Sequence, residues 1–251
     1  MRVAVFSDVH GNLTALEAVL GDIGKQTTDQ IVCAGDLCLF GPQPADCLRR
    51  IRDAGIIALY GNTDDWILQR QRPPERVAEL AAWTRDQLTL EEQDWLDTRP
   101  FSHPISTTRD TNFDFVVVHA NPIDVNQLVF PSEAEQEELY GRVRQPDDEL
   151  EPLFAESAAE VVAFGHLHVP NERTWQGKRL VNISSVGMPG DGDPRAKYGM
   201  FHWDGNGWHF ERRYVDYGVE TELEAYRRMQ PPGWEEVVQI MEEKGYYPQN
   251  V

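Results

Sequence analysis

The stretch that decides the fold is RVAVFSDVHGN, residues 2–12. Residues 3–6 are all apolar, which predicts a short buried strand. The polar segment that follows carries Asp8 and His10 in a D-x-H triplet. Apolar residues at helical spacing begin at Leu13. The stretch therefore predicts a strand, a polar loop and a helix in direct succession.

The same unit recurs along the first part of the chain. Apolar runs at residues 30–34 and 56–60 predict two more strands, and residues 44–54 between them have helical spacing. The second run leads into Asp36 and the third into Asn62. Strands alternating with helices predict a parallel α/β core. Ligand sites of open α/β sheets lie beyond the carboxyl ends of the strands, so we expect these polar residues to gather there.

The rest of the chain is expected to complete a single domain of residues 1–251. The expected strands lie at residues 113–118 and 161–164, with antiparallel strands within 173–183 and 197–214. The expected helices lie within residues 64–97 and, at the C-terminus, near 219–229 and 233–244. Residues 122–151 are acidic and weakly patterned, and we interpret them as an insertion of loops or short helices. Its later part, 133–151, either covers the site or forms a solvated surface loop.

Composition narrows the class of protein. The 251 residues are 41% hydrophobic, enough for one sizeable core, and no apolar run is long enough to cross a bilayer. The N-terminus lacks the pattern of a secretory signal, so we expect a soluble cytoplasmic protein. A net charge of −19 argues against tight non-specific binding of nucleic acid, although it also fits a role in solubility alone. The three cysteines form no CxxC pair, and we expect buried thiols rather than disulfides.

Polar side chains with metal-binding chemistry follow every predicted parallel strand. They are Asp8, His10, Asp36, Asn62, His119, His166 and His168. All offer oxygen or imidazole nitrogen, a set that suits Mn, Fe, Zn, Co or Ni. Seven ligands are too many for one ion, whereas one carboxylate can bridge two ions roughly 3.5–4 Å apart, the spacing used for phosphate esters. The sequence therefore predicts a two-metal phosphoesterase site.

The series of motifs resembles that of the calcineurin-like metallophosphoesterase superfamily. The matching segments are Asp8-Val9-His10, Gly35-Asp36, Gly61-Asn62, His119 and Gly165-His166-Leu167-His168. Residues 6–12, together with 185–189 and 191–196, resemble its small prokaryotic phosphodiesterase branch. The resemblance spans about residues 2–215, most of the chain.

The resemblance implies a fold and a ligand assignment. The fold is a four-layer α/β/β/α sandwich with two packed mixed sheets. Two divalent first-row ions are implied, with manganese favoured. The implied ligands are Asp8, His10 and His168 for one ion, Asn62, His119 and His166 for the other, and Asp36 as the bridge.

Catalysis is expected to use a hydroxide held between the two ions, with Asp36 and Asn62 among the catalytic residues. Many family members have a histidine after the G-N pair that protonates the leaving group, but this chain has Thr63. The sequence therefore does not identify the group that protonates the leaving group. The alternatives are Asp64, a metal-bound water and the substrate. Arg195 is interpreted either as a contact to the substrate phosphate or as part of a surface salt bridge.

Two further features have open interpretations. The N–H groups of Gly11 and Asn12 either point toward phosphate or form a simple helix-entry turn. The remaining histidines, His103, His202 and His209, fall outside the pattern and are expected to be structural or surface residues.

The leading functional prediction is a phosphodiesterase acting on a small or nucleotide-like phosphodiester, with no membrane partner. The enzymatic alternatives are a dinucleoside polyphosphate hydrolase and a phosphoprotein phosphatase, since the same metal centre serves all three. A non-catalytic binding scaffold is the alternative of another class. Because all seven ligands are present, the sequence favours an enzyme.

Overall fold

Ten strands form the framework of the protein in the computed structural model, which describes residues 1–107 and 115–244. In chain order they are β1 (Arg2–Phe6), β2 (Gln30–Cys33), β3 (Ile57–Ala58), β4 (Ser102–Ile105), β5 (Phe115–Val118), β6 (Val161–Phe164), β7 (Asn171–Trp175), β8 (Lys178–Asn182), β9 (Ala196–Trp203) and β10 (Trp208–Val215). One sheet has the order β10-β9-β1-β2-β3 and the other β4-β5-β6-β8-β7. Each sheet is mixed, with three parallel strands and antiparallel neighbours.

Nine α-helices accompany the strands in the described part of the chain. They are α1 (Leu13–Ile23), α2 (Pro44–Asp53), α3 (Asn62–Ile67), α4 (Ala78–Asp86), α5 (Leu90–Asp97), α6 (Glu133–Tyr140), α7 (Glu151–Phe154), α8 (Val219–Met229) and α9 (Trp234–Lys244). Within residues 1–107 and 115–244, no helix has the length and apolar character needed to cross a bilayer.

The side-chain alternation of β1 shows how the layers arise. Val3 and Val5 belong to a buried cluster that contains residues of both sheets. Ala4 and Phe6, on the opposite face, belong to a cluster with residues of α1 and α2. Successive side chains of a strand point to opposite faces, so one apolar run supplies both the contact between the sheets and the contact with the helices.

β6 repeats this arrangement in the second sheet. Val161 and Ala163 lie between the sheets. Val162 and Phe164 pack on the outside, in a cluster that includes Phe154 of α7. Helices thus cover the outer face of each sheet, and the expected α/β fold of two packed mixed sheets is confirmed.

Several local expectations need correction. The helical stretch expected within residues 64–97 is three helices, because it is interrupted at residues 68–77 and 87–89. The third strand is only two residues long. For the strand expected at residues 113–118, the structure shows Phe115–Val118, and residues 113–114 lie outside the described part. The three cysteines are free and buried, as expected.

The two C-terminal helices pack against each other as a helical hairpin. A small cluster between them contains Leu223, Tyr226, Val238 and Met241. α8 also contacts α1, the helix that follows the D-x-H triplet. We refer to residues 219–244 as the C-terminal hairpin.

Candidate metal centre

All seven predicted ligands come together at one end of the two sheets. Each follows one of five parallel strands, β1, β2, β3, β5 and β6, so the packing of the sheets brings the five strand ends to one place. Six of the seven side chains are buried, and His166 is half-buried. These residues are separated by up to 160 positions in the chain, and only the tertiary fold joins them.

The first donor group consists of Asp8, His10 and His168. One ligand atom of each lies within 4.8 Å of the others. His168 Nε2 is 3.0 Å from Asp8 Oδ1 and 3.1 Å from His10 Nε2. Three donor atoms therefore converge on one small volume.

The second donor group consists of Asp36, His119 and His166, again with ligand atoms within 4.8 Å of one another. Asn62 joins this group, because its Oδ1 lies 2.9 Å from His119 Nε2. The His119 and His166 rings are 4.9 Å apart between centroids. The group therefore offers two imidazoles, an amide oxygen and a carboxylate.

Asp36 lies between the two groups. Its Oδ2 is 3.7 Å from His10 Nε2, and its Oδ1 is 3.5 Å from His119 Nε2. One carboxylate thus faces an imidazole of each group with a different oxygen. This is the position that a bridging ligand requires.

The histidine tautomers are set by backbone carbonyl groups. In three rings Nδ1 donates a hydrogen bond to a carbonyl oxygen: His10 to Leu39 at 3.1 Å, His119 to Ala34 at 2.9 Å and His168 to Met188 at 2.9 Å. A carbonyl oxygen only accepts, so Nδ1 carries the proton and Nε2 is a free lone pair. His10 and His168 therefore direct two lone pairs at each other across 3.1 Å, an arrangement that a cation between them would relieve.

The His166 ring has the opposite orientation, with Nε2 rather than Nδ1 bonded to a backbone carbonyl. Its Nε2 donates to the carbonyl of Asn126 at 2.8 Å, which leaves Nδ1 as the donor atom for a metal. Asn126 belongs to the segment predicted as the acidic insertion, so this segment reaches the metal centre at its beginning.

Burial keeps the imidazoles of His10 and His166 neutral. It is the largest cause that lowers the pKa of His10 to about 3, followed by the neighbouring His168. Burial also lowers the pKa of His166 to about 3, with His119 as the next cause. For Asp36, burial and then the Asp8 carboxylate raise the pKa above its usual value. A neutral imidazole beside a carboxylate, as at His10 and His166, is a donor that divalent first-row ions bind.

Five of the predicted ligands have a left-handed backbone. The backbone angle φ lies between 50° and 64° at Asp8, His10, Asp36, His166 and His168. Such a backbone costs a non-glycine residue on the order of 1 kcal/mol or more, and it persists only where the surroundings impose it. The concentration of these residues here indicates that the loops are shaped for the ligand positions.

Glycines before the ligands make room for the carboxylates. A Cβ on Gly165 would lie 2.1 Å from Asp8 Oδ2, and a Cβ on Gly61 would lie 2.1 Å from Asp36 Oδ1. Real atoms do not approach so closely, so any side chain at these positions would displace the carboxylate of Asp8 or Asp36. Steric exclusion therefore explains why glycine precedes Asn62 and His166 in the motif.

Residues 185–188 hold the D-x-H loop from behind. The N–H groups of Val186 and Gly187 donate to the carbonyls of Ser7 and Asp8, and Ser185 Oγ donates to the Asp8 carbonyl at 2.8 Å. The segment that resembled the phosphodiesterase branch is thus a support for the loop, and its Met188 carbonyl fixes the His168 tautomer.

The remaining predicted site residues have other partners. Both Asp64 oxygens accept backbone hydrogen bonds, Oδ2 from the N–H groups of Asp36 and Gly61 and Oδ1 from that of Leu37. Burial, and then Asp36, raise the pKa of the Asp64 carboxyl to about 7. Its contacts tie the Asp36 loop to the Asn62 loop.

Arg195 forms a two-point ion pair with Asp193, at 3.0 Å from Nε and 2.5 Å from Nη2, and its guanidinium lies over the Tyr214 ring. These contacts match the salt-bridge interpretation. The Gly11 and Asn12 N–H groups donate to the carbonyls of Leu37 and Val9, which matches the helix-entry turn.

Sequence reasoning missed the carbonyl groups that orient the rings, above all Asn126. Backbone carbonyls carry no residue signature, so no pattern in the sequence points to them. The buried hydrogen-bonding role of Asp64 was also missed, although its place two residues after Asn62 in a helix start was a usable signal.

Comparisons with known proteins agree with this geometry. The sequence model described as the calcineurin-like phosphoesterase superfamily domain matches residues 1–206. The uncharacterized protein MJ0912 of Methanocaldococcus jannaschii is 27% identical, and the match covers 92% of this chain and 94% of that protein.

Two solved structures share the fold over nearly the whole chain. A metallophosphoesterase from Sphaerobacter thermophilus is 28% identical with a TM-score of 0.69, and the match covers 93% of this chain and 95% of that one. The hypothetical protein PH1004 from Pyrococcus horikoshii is 16% identical with a TM-score of 0.78, and the match covers 96% and 97%. Both matches extend past residue 206 into the C-terminal part of the chain.

Proposed function

Because the chain belongs to the calcineurin-like phosphoesterase superfamily, we propose that it is a phosphodiesterase of small or nucleotide-like diesters. Membership makes it a phosphoester hydrolase with a dinuclear divalent metal site. What we propose beyond membership is the diester substrate, the identity of the metals and the role of each residue.

The observation that carries the proposal is the position of Asp36 between two complete donor groups. We assign Asp8, His10 and His168 to one ion, Asn62, His119 and His166 to the other, and Asp36 to both. When bound, the two ions supply Lewis acidity toward the phosphate and make water a nucleophile near neutral pH. The donor set has four imidazoles, which favours first-row transition ions such as manganese over magnesium.

The protein's own residues hold this arrangement rigid. Asp64 joins the Asp36 and Asn62 loops through three backbone N–H groups. The four imidazole rings are held in orientation by backbone carbonyls, those of Leu39, Ala34, Met188 and Asn126. A site held in place before the substrate arrives does not reorganise during the reaction.

The protein lacks a histidine for the leaving group. The three histidines outside the centre have other contacts: His103 with Gln30, and His209 with Asp204 and the His202 ring. Thr63 occupies the position after Asn62, and its N–H donates to Asp36 Oδ1 at 3.0 Å. This favours diesters with acidic leaving groups, or substrates that supply their own proton.

Metal content and a substrate panel test the proposal together. Protein freed of metal with a chelator and reloaded is expected to bind close to two ions per chain, and manganese is expected to restore hydrolysis of bis(p-nitrophenyl) phosphate better than magnesium. Full activity in magnesium freed of heavier metals would contradict the metal assignment. Hydrolysis of p-nitrophenyl phosphate but not of the diester would contradict the phosphodiesterase assignment.

A further inference from the structure

A groove lies between the C-terminal hairpin and the beginning of α4. Its volume is about 350 Å³, within the range of small-molecule sites. The apolar part of its lining includes Phe40, Leu80, Tyr226, Pro232 and Trp234. The groove thus combines three aromatic side chains from two distant parts of the chain.

Phe40 connects this groove to the metal centre. Its ring packs edge-on against the ring of the predicted ligand His10, with centroids 5.2 Å apart. It is half-buried, with one part facing the ligand and another lining the groove. A single aromatic ring therefore separates the groove from a metal-binding imidazole.

The C-terminal hairpin holds Phe40 in this position. Tyr226 Oη donates a hydrogen bond to the Phe40 carbonyl at 3.1 Å. The Phe40 backbone has φ of 91°, a conformation that a phenylalanine adopts only when tertiary contacts impose it. The preceding carbonyl, that of Leu39, fixes the His10 ring. The groove and the metal-binding loop are thus parts of one connected structure.

The polar rim of the groove indicates what the occupant carries. Arg76, Glu79 and Glu236 contribute to the lining, so carboxylates outnumber the single guanidinium. This balance is unfavourable for a chain of phosphates. It suits a flat ring with N–H donors on its edge, and every nucleobase has such a donor on its base-pairing edge.

We propose that this groove binds the nucleobase of a nucleotide diester whose phosphate lies at the metal centre. The inference rests on the proposed phosphodiesterase function. The base stacks on the aromatic lining, with Trp234 as a principal contact, while Phe40 separates it from the metals. The C-terminal hairpin, beyond the residues matched by the family model, then determines substrate preference.

Two chromogenic diesters test this directly, thymidine 5′-(p-nitrophenyl phosphate) and methyl p-nitrophenyl phosphate. They share a leaving group and differ in the nucleoside. We expect Trp234→Ala to raise KM for the nucleoside ester about tenfold, within the range for loss of one base–aromatic stack, with kcat little changed. KM for the methyl ester should stay the same. The matched control is Trp83→Ala, a half-buried tryptophan outside the groove.

Equal KM values for the two esters in the wild type, or an equal change for both in Trp234→Ala, would overturn the proposal. Calorimetric binding of thymidine 5′-phosphate, a measurement that needs no turnover, separates this inference from the proposed function. One outcome is that neither ester is hydrolysed with any metal, while thymidine 5′-phosphate binds and Trp234→Ala lowers its affinity about tenfold. This outcome would support the nucleobase assignment of the groove and contradict the phosphodiesterase assignment. If both esters are hydrolysed and thymidine 5′-phosphate binds both proteins equally, the groove assignment fails.

Discussion

The two donor groups of the candidate metal centre differ in the contacts that hold them in place. In the group of Asp8, His10 and His168, both rings are buried and tied through Nδ1 to carbonyls of loops at the sheet edge. In the second group, His166 is half-buried, turned over, and tied through Nε2 to Asn126 of the insertion. Half of the proposed centre therefore depends on the core loops alone, and the other half also on an appended segment.

This difference implies unequal metal sites. Ligands fixed by the core need no ordering of an exposed loop, so the first group should bind its ion more tightly. Asp36 faces both groups and links their behaviour.

The largest effect is expected for Asp36→Asn. An amide keeps the size of the side chain but loses the negative charge that two cations share, so both ions should bind weakly. Activity should fall by about 10³-fold or more, as for loss of a principal electrostatic contact. Elemental analysis and initial rates of diester hydrolysis check this. Retention of both ions at full activity would show that Asp36 is not the bridge.

His119→Ala is expected to affect one group. Loss of this imidazole removes one donor of the second group, so the second ion should be lost while the first remains. Metal content should then fall to roughly one ion per chain. His10→Ala is the paired variant and should empty the first group. Loss of both ions in each variant would mean that the groups do not bind independently.

Thr63→His is expected to change the dependence on the leaving group. An imidazolium at this position can donate a proton, an effect typically worth about 10²–10⁴-fold for a poor leaving group. The Thr63 contact to Asp36 is through the backbone N–H, so the substitution leaves this hydrogen bond possible. Rates should rise for alkyl diesters and change little for p-nitrophenyl diesters.

The measurement is a series of diesters with graded leaving-group pKa, with Thr63→Gln as a control of similar length that has no acidic proton. Equal slopes for wild type and Thr63→His, with the wild type already fast on alkyl esters, would show that another group is the acid.

The smallest effect is expected for Asp124→Ala. Asp124 Oδ1 accepts from the N–H groups of Asn126 and Gln127 and so shapes the turn that presents the Asn126 carbonyl. Without it the His166 ring loses a fixed partner, and affinity for the second ion should fall about tenfold, as for other contacts behind a metal ligand. Affinity for the first ion should not change. Calorimetric titration of metal-free protein resolves the two binding steps.

A matched control for this variant exists elsewhere in the chain. Asp204 Oδ1 accepts from the N–H groups of Asn206 and Gly207 in the same pattern, in the turn between β9 and β10. Asp204→Ala should leave both metal affinities unchanged. An equal loss in the two variants would mean a general loss of stability rather than an effect at His166.

The sequence by itself determined the class of fold and which residues could serve as metal donors. In the short apolar runs of β1 and β6, successive side chains point to opposite faces of the sheet. This alternation follows from the geometry of a strand and needs no information from the rest of the chain. Donor residues that directly follow such strands are brought to the sheet edge by the strands themselves. The positions of Asp8, Asp36 and His119 could therefore be predicted from local pattern.

Only the tertiary structure decided how these side chains are oriented and which groups they contact. Asp64 and Arg195 have the residue types of catalytic groups, yet their partners are backbone N–H groups and Asp193, which no local pattern reveals. The ring orientation of His166 depends on the Asn126 carbonyl, forty residues away. The groove joins Phe40 to Tyr226 across 186 positions. Hydrogen bonds to backbone atoms and contacts between distant segments depend on how the chain packs, and side-chain identity along the sequence does not encode them directly.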